Sequence, residues 1–123
     1  MLGKSDATPT VAVKDLDRAR KFYEDTLGLQ EIDDFGEGFM LQSGDTRFSV
    51  YRSEFAGTNK ATALMFDVDD LDSEVRELKD KGITFEHYDL EGLERDGDIY
   101  RGDNMSTAWF KDPDGNILSL IEA

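Results

Sequence analysis

The sequence predicts an α+β fold made of two copies of one unit, each a strand, a helix and then three strands. Three observations point there. Val13-Lys14-Asp15-Leu16-Asp17 returns as Val68-Asp69-Asp70-Leu71-Asp72, displaced by 55 residues (68 − 13 = 55). An amphipathic helical pattern follows each copy, and each half ends in two strand-like runs joined by a short turn.

The elements follow in chain order. Thr10-Val11-Ala12-Val13 is β-branched and apolar, as a strand requires, and Leu64-Met65-Phe66 takes the same place in the second half. Leu16, Ala19, Phe22, Tyr23 and Leu27 recur near the spacing of one buried helix face, as do Leu71, Val75 and Leu78. Asp15 and Asp70 are placed to cap those helices, because a carboxylate there can accept from free amides of the first turn. Gly28 and Gly82 then stop them. Phe39-Met40-Leu41 runs through Ser43-Gly44-Asp45 into Arg47-Phe48-Ser49-Val50-Tyr51. Thr107-Ala108-Trp109-Phe110 runs through Asp112-Pro113-Asp114-Gly115-Asn116 into Ile117-Leu118-Ser119-Leu120-Ile121. The polar stretch Ser53 to Lys60 reads as the linker between halves. An insertion over residues 89–104, rich in Asp, Glu, Gly and Arg, reads as a mobile loop at a cavity mouth or as an idle surface excursion.

Composition excludes several function classes. The chain has 123 residues, the size of one domain, and no cysteine, so neither a disulfide framework nor a thiolate metal site is expected. No apolar run approaches the length of a membrane span, and Met1 to Thr10 lacks the features of a signal peptide; a cytoplasmic protein is expected. A net charge of −14 repels nucleic acid and anionic lipid, so neither is an expected partner. The acidity reads first as a solvated surface, then as an adaptation to high salt or a preference for cationic ligands.

The segment Thr10 to Ala19 with Phe22-Tyr23 and Leu27-Gly28-Leu29 resembles the opening of the vicinal oxygen chelate proteins, the glyoxalase, bleomycin-resistance and dioxygenase group. Trp109-Phe110-Lys111-Asp112-Pro113-Asp114-Gly115-Asn116 with Leu118 and Leu120 resembles their closing signature. The resemblance covers essentially the whole chain. It implies a single domain over 1–123, with one βαβββ module at about 6–52 and another at about 61–123, whose curved mixed sheets enclose a cavity. It also implies a homodimer, since proteins of this group usually pair. In the metalloenzymes of the group, the first and last strands of each module supply four inward ligands, and the ion acts as a Lewis acid. Carried over from the matched motifs, those positions are Thr8, Ser49, Ala63 and Ser119, which lack imidazole and carboxylate. No metal and no cofactor are therefore expected.

Alternation along strands sets the expected cavity lining. With Ser49 and Ser119 inward, Arg47, Tyr51, Ile117 and Ile121 face inward too. The family register pairs Trp109 with Ser119 and Phe39 with Ser49, and Thr107 and Met65 follow. The expected ligand-binding residues are Phe39, Arg47, Ser49, Tyr51, Met65, Thr107, Trp109 and Ser119. Phe48, Val50, Ala108, Phe110, Leu118 and Leu120 then form the core beneath the helices.

Other motifs read as structure. His87, the only histidine, has no cysteine or motif-linked serine to activate and reads as an exposed strand-end residue. Asp67, Asp69, Asp70, Asp72 and Glu74 lack the glycine of a calcium loop and read as helix-end charges. Gly36-Glu37-Gly38 and Asp112-Pro113-Asp114-Gly115 read as turns. No catalytic constellation emerges. The sequence therefore points to a metal-independent protein that binds a cationic or aromatic small molecule without transforming it. The alternatives are a metal-dependent glyoxalase- or dioxygenase-type enzyme with unrecognised ligands, or a regulatory interaction module.

Overall fold

The computed structural model describes residues 1–123 and divides into two compact units, Met1–Gly57 and Thr58–Ala123. The first contains β1 (Thr10–Val13), α1 (Leu16–Arg20) running into a π-helical turn (Lys21–Thr26), β2 (Gln30–Asp34), β3 (Gly38–Ser43) and β4 (Thr46–Arg52). Its sheet has the order β1-β4-β3-β2, with β1 parallel to β4 and the remaining pairs antiparallel. The second contains β5 (Thr62–Asp67), α2 (Leu71–Asp80), β6 (Phe85–Glu86), β7 (Glu94–Asp96), β8 (Ile99–Arg101), β9 (Ser106–Lys111) and β10 (Ile117–Glu122). Its strands run β5-β10-β9-β8-β7, with β6 also on β9 and β5 parallel to β10.

Local chemistry explains the helices. Asp15 Oδ1 accepts from the amides of Asp17 (3.0 Å) and Arg18 (3.1 Å), and Asp70 Oδ1 from that of Ser73 (3.1 Å). The Glu122 carboxylate accepts from the Leu71 amide at 2.8 Å, satisfying another free donor of the α2 N-terminus. In the widened π turn, Leu27 N donates to Phe22 O at 3.0 Å, and the adjacent rings of Phe22 and Tyr23 are both buried. Tyr23 packs edge-on against Phe48 of β4, with centroids 6.1 Å apart. In the second unit Leu71, Val75 and Leu78 are buried along α2, and Phe85 meets Phe110 edge-on at 5.7 Å. The core residues expected on β4, β9 and β10 are all buried.

Two expectations change. The pairing across the first hairpin is Met40 with Ser49, and Phe39 pairs with Val50. Phe39 is 0 % exposed, on the helix-facing side of the sheet, and the Arg20 guanidinium lies 4.5 Å from its ring centroid. Phe39 therefore belongs to the core and not to the Ser49 face. The cause is the turn. Ser43 pairs with Thr46, leaving the two-residue loop Gly44-Asp45, with Gly44 at φ +56° as a type II′ turn requires. The closing hairpin instead joins Lys111 to Ile117 through a longer turn. The ten-residue spacing of Trp109 and Ser119 (119 − 109 = 10) therefore does not transfer to Ser49.

The insertion is not an irregular loop throughout. It folds back as β7 and β8 around Gly97-Asp98, with Ile99 and Tyr100 buried. It also splits one strand into two. In the first unit a single strand, β2, lies beside β3. In the second, β6 and β8 share the edge of β9, pairing Glu86 with Trp109 and Tyr100 with Thr107.

Candidate functional site

On β10 and its neighbours the side chains facing away from α2 form rows across the sheet. One row reads Met65, Ser119, Trp109 and Glu86, and the next Asp67, Ile121, Thr107 and Tyr100. Trp109 is half-buried and its indole Nε1 donates to Thr62 Oγ1 at 3.2 Å. Tyr88 and Tyr100 meet its ring edge-on, with centroids 5.6 and 5.3 Å away. The Tyr88 amide donates to Tyr100 Oη, tying the chain after β6 to the insertion hairpin. Trp109, Tyr88 and Tyr100 thus form an aromatic cluster beside Glu86, whose carboxylate pairs with Lys111 Nζ at 3.3 Å. Burial, and secondarily the negative charge of Glu86, raises the Tyr88 phenol above its ordinary value.

The first unit has the matching row, Thr10, Ser49, Met40 and Asp33, and beside it Arg47 pairs with Gln42. Met40, not Phe39, is the counterpart of Trp109. Ser49, Arg47 and Tyr51 share a face as expected, with Ser49 buried and Tyr51 40 % exposed. Met65 is 59 % exposed and Ser119 only 3 %. Thr107 lies on the expected face, but its buried hydroxyl donates to Leu120 O at 2.8 Å and is spent on the backbone. Glu86, Tyr88 and Tyr100 escaped sequence reasoning. The acidic insertion hid Tyr100, although its Gly97-Asp98 pair marks a hairpin.

The histidine is exposed but bonded. Its Nε2 lies 2.8 Å from Asp98 Oδ1, and Lys79 Nζ donates to Asp98 Oδ2 at 2.7 Å. Arg95 Nη1 donates to Gly97 O at 2.9 Å and lies 3.4 Å from His87 Nδ1. The hydrogen bonds from Lys79 and then His87 hold the Asp98 carboxyl below its ordinary value. This cluster clamps the insertion turn against α2. Asp70 and Asp72 at the α2 N-terminus and Asp112 in the closing turn are likewise structural. Asp72 binds Arg101, and Asp112 accepts from the amides of Asp114 and Asn116.

The four positions implied for a metal do not fit one. Ser49 and Ser119 offer neutral hydroxyls, Ala63 offers no donor, and Thr8 precedes β1, where Pro9 O accepts from Ser49 N at 2.9 Å. Ala63 is the extra residue of a β-bulge, since Ile117 pairs with Thr62 and Leu118 with Leu64. No group of three or more His, Cys, Asp and Glu side chains is positioned to hold an ion.

Comparison with known proteins agrees with the fold. No curated protein matches the sequence. A fosfomycin resistance protein, FosX, from Listeria monocytogenes superposes with a TM-score of 0.72 at 14 % identity, covering 98 % of this chain and 93 % of that one. A lactoylglutathione lyase from Agrobacterium tumefaciens gives 0.70 at 19 %, covering 97 % and 94 %. TnmS3, an antibiotic binding protein from Streptomyces sp. CB03234, gives 0.64 at 20 %, covering 97 % of each chain. At these identities the likeness is one of fold. The sequence model of the Glyoxalase/Bleomycin resistance protein/Dioxygenase superfamily matches residues 7–120, and the chain belongs to that family.

Proposed function

We propose that this chain is a metal-independent small-molecule binding protein of the glyoxalase and bleomycin-resistance type, which sequesters an aromatic, cationic compound without transforming it. The observation that carries this reading is the row Met65, Ser119, Trp109, Glu86 with Tyr88 and Tyr100 against the indole. Aromatic faces attract cations and stack on flat ligands, and Glu86 adds a carboxylate to the same row. Arg47, Ser49 and Tyr51 mark the corresponding face of the first module. An antibiotic-binding relative of the same fold supports the reading, as does a net charge of −14, which steers cations inward. We further propose that the chain acts as one domain, as a cytoplasmic homodimer, its pairing covering strand edges that a monomer exposes.

The test combines elemental analysis with titration of ethidium, berberine and crystal violet. Trp109 is the only tryptophan, so its fluorescence reports on this face directly. At least one dye should quench it saturably and raise the melting temperature, as a ligand of the native state must. Trp109→Ala should weaken that dye by about tenfold or more, the loss of a binding hot spot. One divalent ion per chain, removable with loss of a chemical activity, would overturn the proposal, as would indifference to every dye.

A further inference from the structure

A second cleft, within the first unit, has a different chemistry. It encloses about 400 Å³ between the approach to β1 and the start of β4, and is lined by Asp6, Ala7, Thr8, Asp45, Thr46 and Arg47. That volume is within the range of small-molecule sites, roughly 300–1,000 Å³. Its walls are polar apart from Ala7.

The charged groups of this cleft are uncommitted. Arg20, Arg52 and Arg101 each hold a carboxylate at 2.8–3.1 Å. Arg47 makes no ion pair or side-chain hydrogen bond, although the chain carries 28 acidic side chains against 14 basic ones. Asp6 and Asp45 share the cleft with it, and their carboxylates also lack partners. The larger cleft of about 570 Å³ beside the insertion hairpin differs in this respect, because its arginine, Arg101, already binds Asp96 and Asp72. In the first cleft one cation and two anions line the same space without neutralising one another.

We infer that this cleft is a site for a zwitterionic small molecule, with Arg47 taking its carboxylate or other oxyanion and Asp6 and Asp45 its protonated amine. A guanidinium offers a planar fork of donors that matches an oxyanion with two parallel hydrogen bonds. The hydroxyls of Thr8 and Thr46 supply neutral partners beside it. The global charge selects against a simple anion, and a simple cation leaves Arg47 without an oxyanion partner. A zwitterion is neutral overall and presents each charge to its complement, so it meets neither penalty. The inference goes beyond the Trp109 face and does not require it, since every residue of the cleft lies in the first unit.

The experiment uses a matched non-aromatic series, so that the tryptophan face is not engaged. L-Leucine, L-leucinamide and N-acetyl-L-leucine are titrated into the isotopically labelled protein, and backbone amide shifts of residues 6–8 and 45–47 are followed. Leucine should shift them saturably and bind about fivefold or more tighter than either derivative, each of which lacks one charge. Arg47→Ala should remove the preference for leucine over its amide, and Asp45→Asn should narrow the preference over the N-acetyl compound. Both side chains are exposed, so the variants should keep the wild-type spectrum elsewhere. Equal affinities across the series, no saturable shift with leucine, or an undiminished preference in Arg47→Ala would overturn the inference. None of those results would alter dye binding at Trp109, so the two readings fail separately.

Discussion

Neighbouring residues on β3 test the register of the first hairpin. Phe39 is fully buried opposite Val50, and Met40 is half-buried opposite Ser49. Truncating a packed core phenylalanine removes its transfer energy and leaves a cavity, at a cost of about 3–5 kcal/mol. The same change also removes the surface on which the Arg20 guanidinium rests, worth about 0.5–1 kcal/mol in a partly exposed setting. Met40→Ala removes a side chain that is not enclosed, so it should cost less than the roughly 2–5 kcal/mol of a fully buried methionine. Urea midpoints for the two variants, with an Arg20→Ala/Phe39→Ala double-mutant cycle, measure all three quantities. A Phe39→Ala variant as stable as wild type beside a severely unstable Met40→Ala would refute this register. It would also restore Phe39 to the face of Ser49.

Two further predictions concern the insertion and the residue before it. The Tyr88 hydroxyl is buried without a hydrogen-bond partner, a group whose burial costs about 1–3 kcal/mol. Tyr88→Phe should therefore leave the urea midpoint unchanged or raise it, and a loss above about 1 kcal/mol would show the hydroxyl to be bonded in solution. Asp98, held below its ordinary value by Lys79 and His87, stabilises the fold above the unfolded aspartate value near 3.9, and that contribution disappears as pH falls through the folded value. The stability gap between wild type and Asp98→Asn should consequently shrink as pH falls from about 5 towards 2; a gap that stays constant over that range would disprove the clamp.

The sequence by itself determined what is written in local chemistry and period. Asp15 and Asp70 cap the helices because a carboxylate before an apolar stripe has free amides within reach. Strand alternation puts Phe48 and Val50 on the core face of β4 and Ser49 and Tyr51 on the opposite one, where Ser49 is nonetheless buried. The repeat of 55 residues (68 − 13 = 55) made the two-module architecture legible. Tertiary structure alone decided which residues meet. A two-residue turn at Gly44-Asp45 moved Phe39 into the core and Met40 opposite Ser49, because one residue of slip reverses every side chain on a strand. Packing brought Tyr88, just before the insertion, and Tyr100, within it, onto Trp109, although the insertion's composition resembles solvent-exposed loop. It also left Arg47 unpaired beside Asp6 and Asp45. Such meetings depend on where separate segments come to rest, and composition carries no coordinate for that.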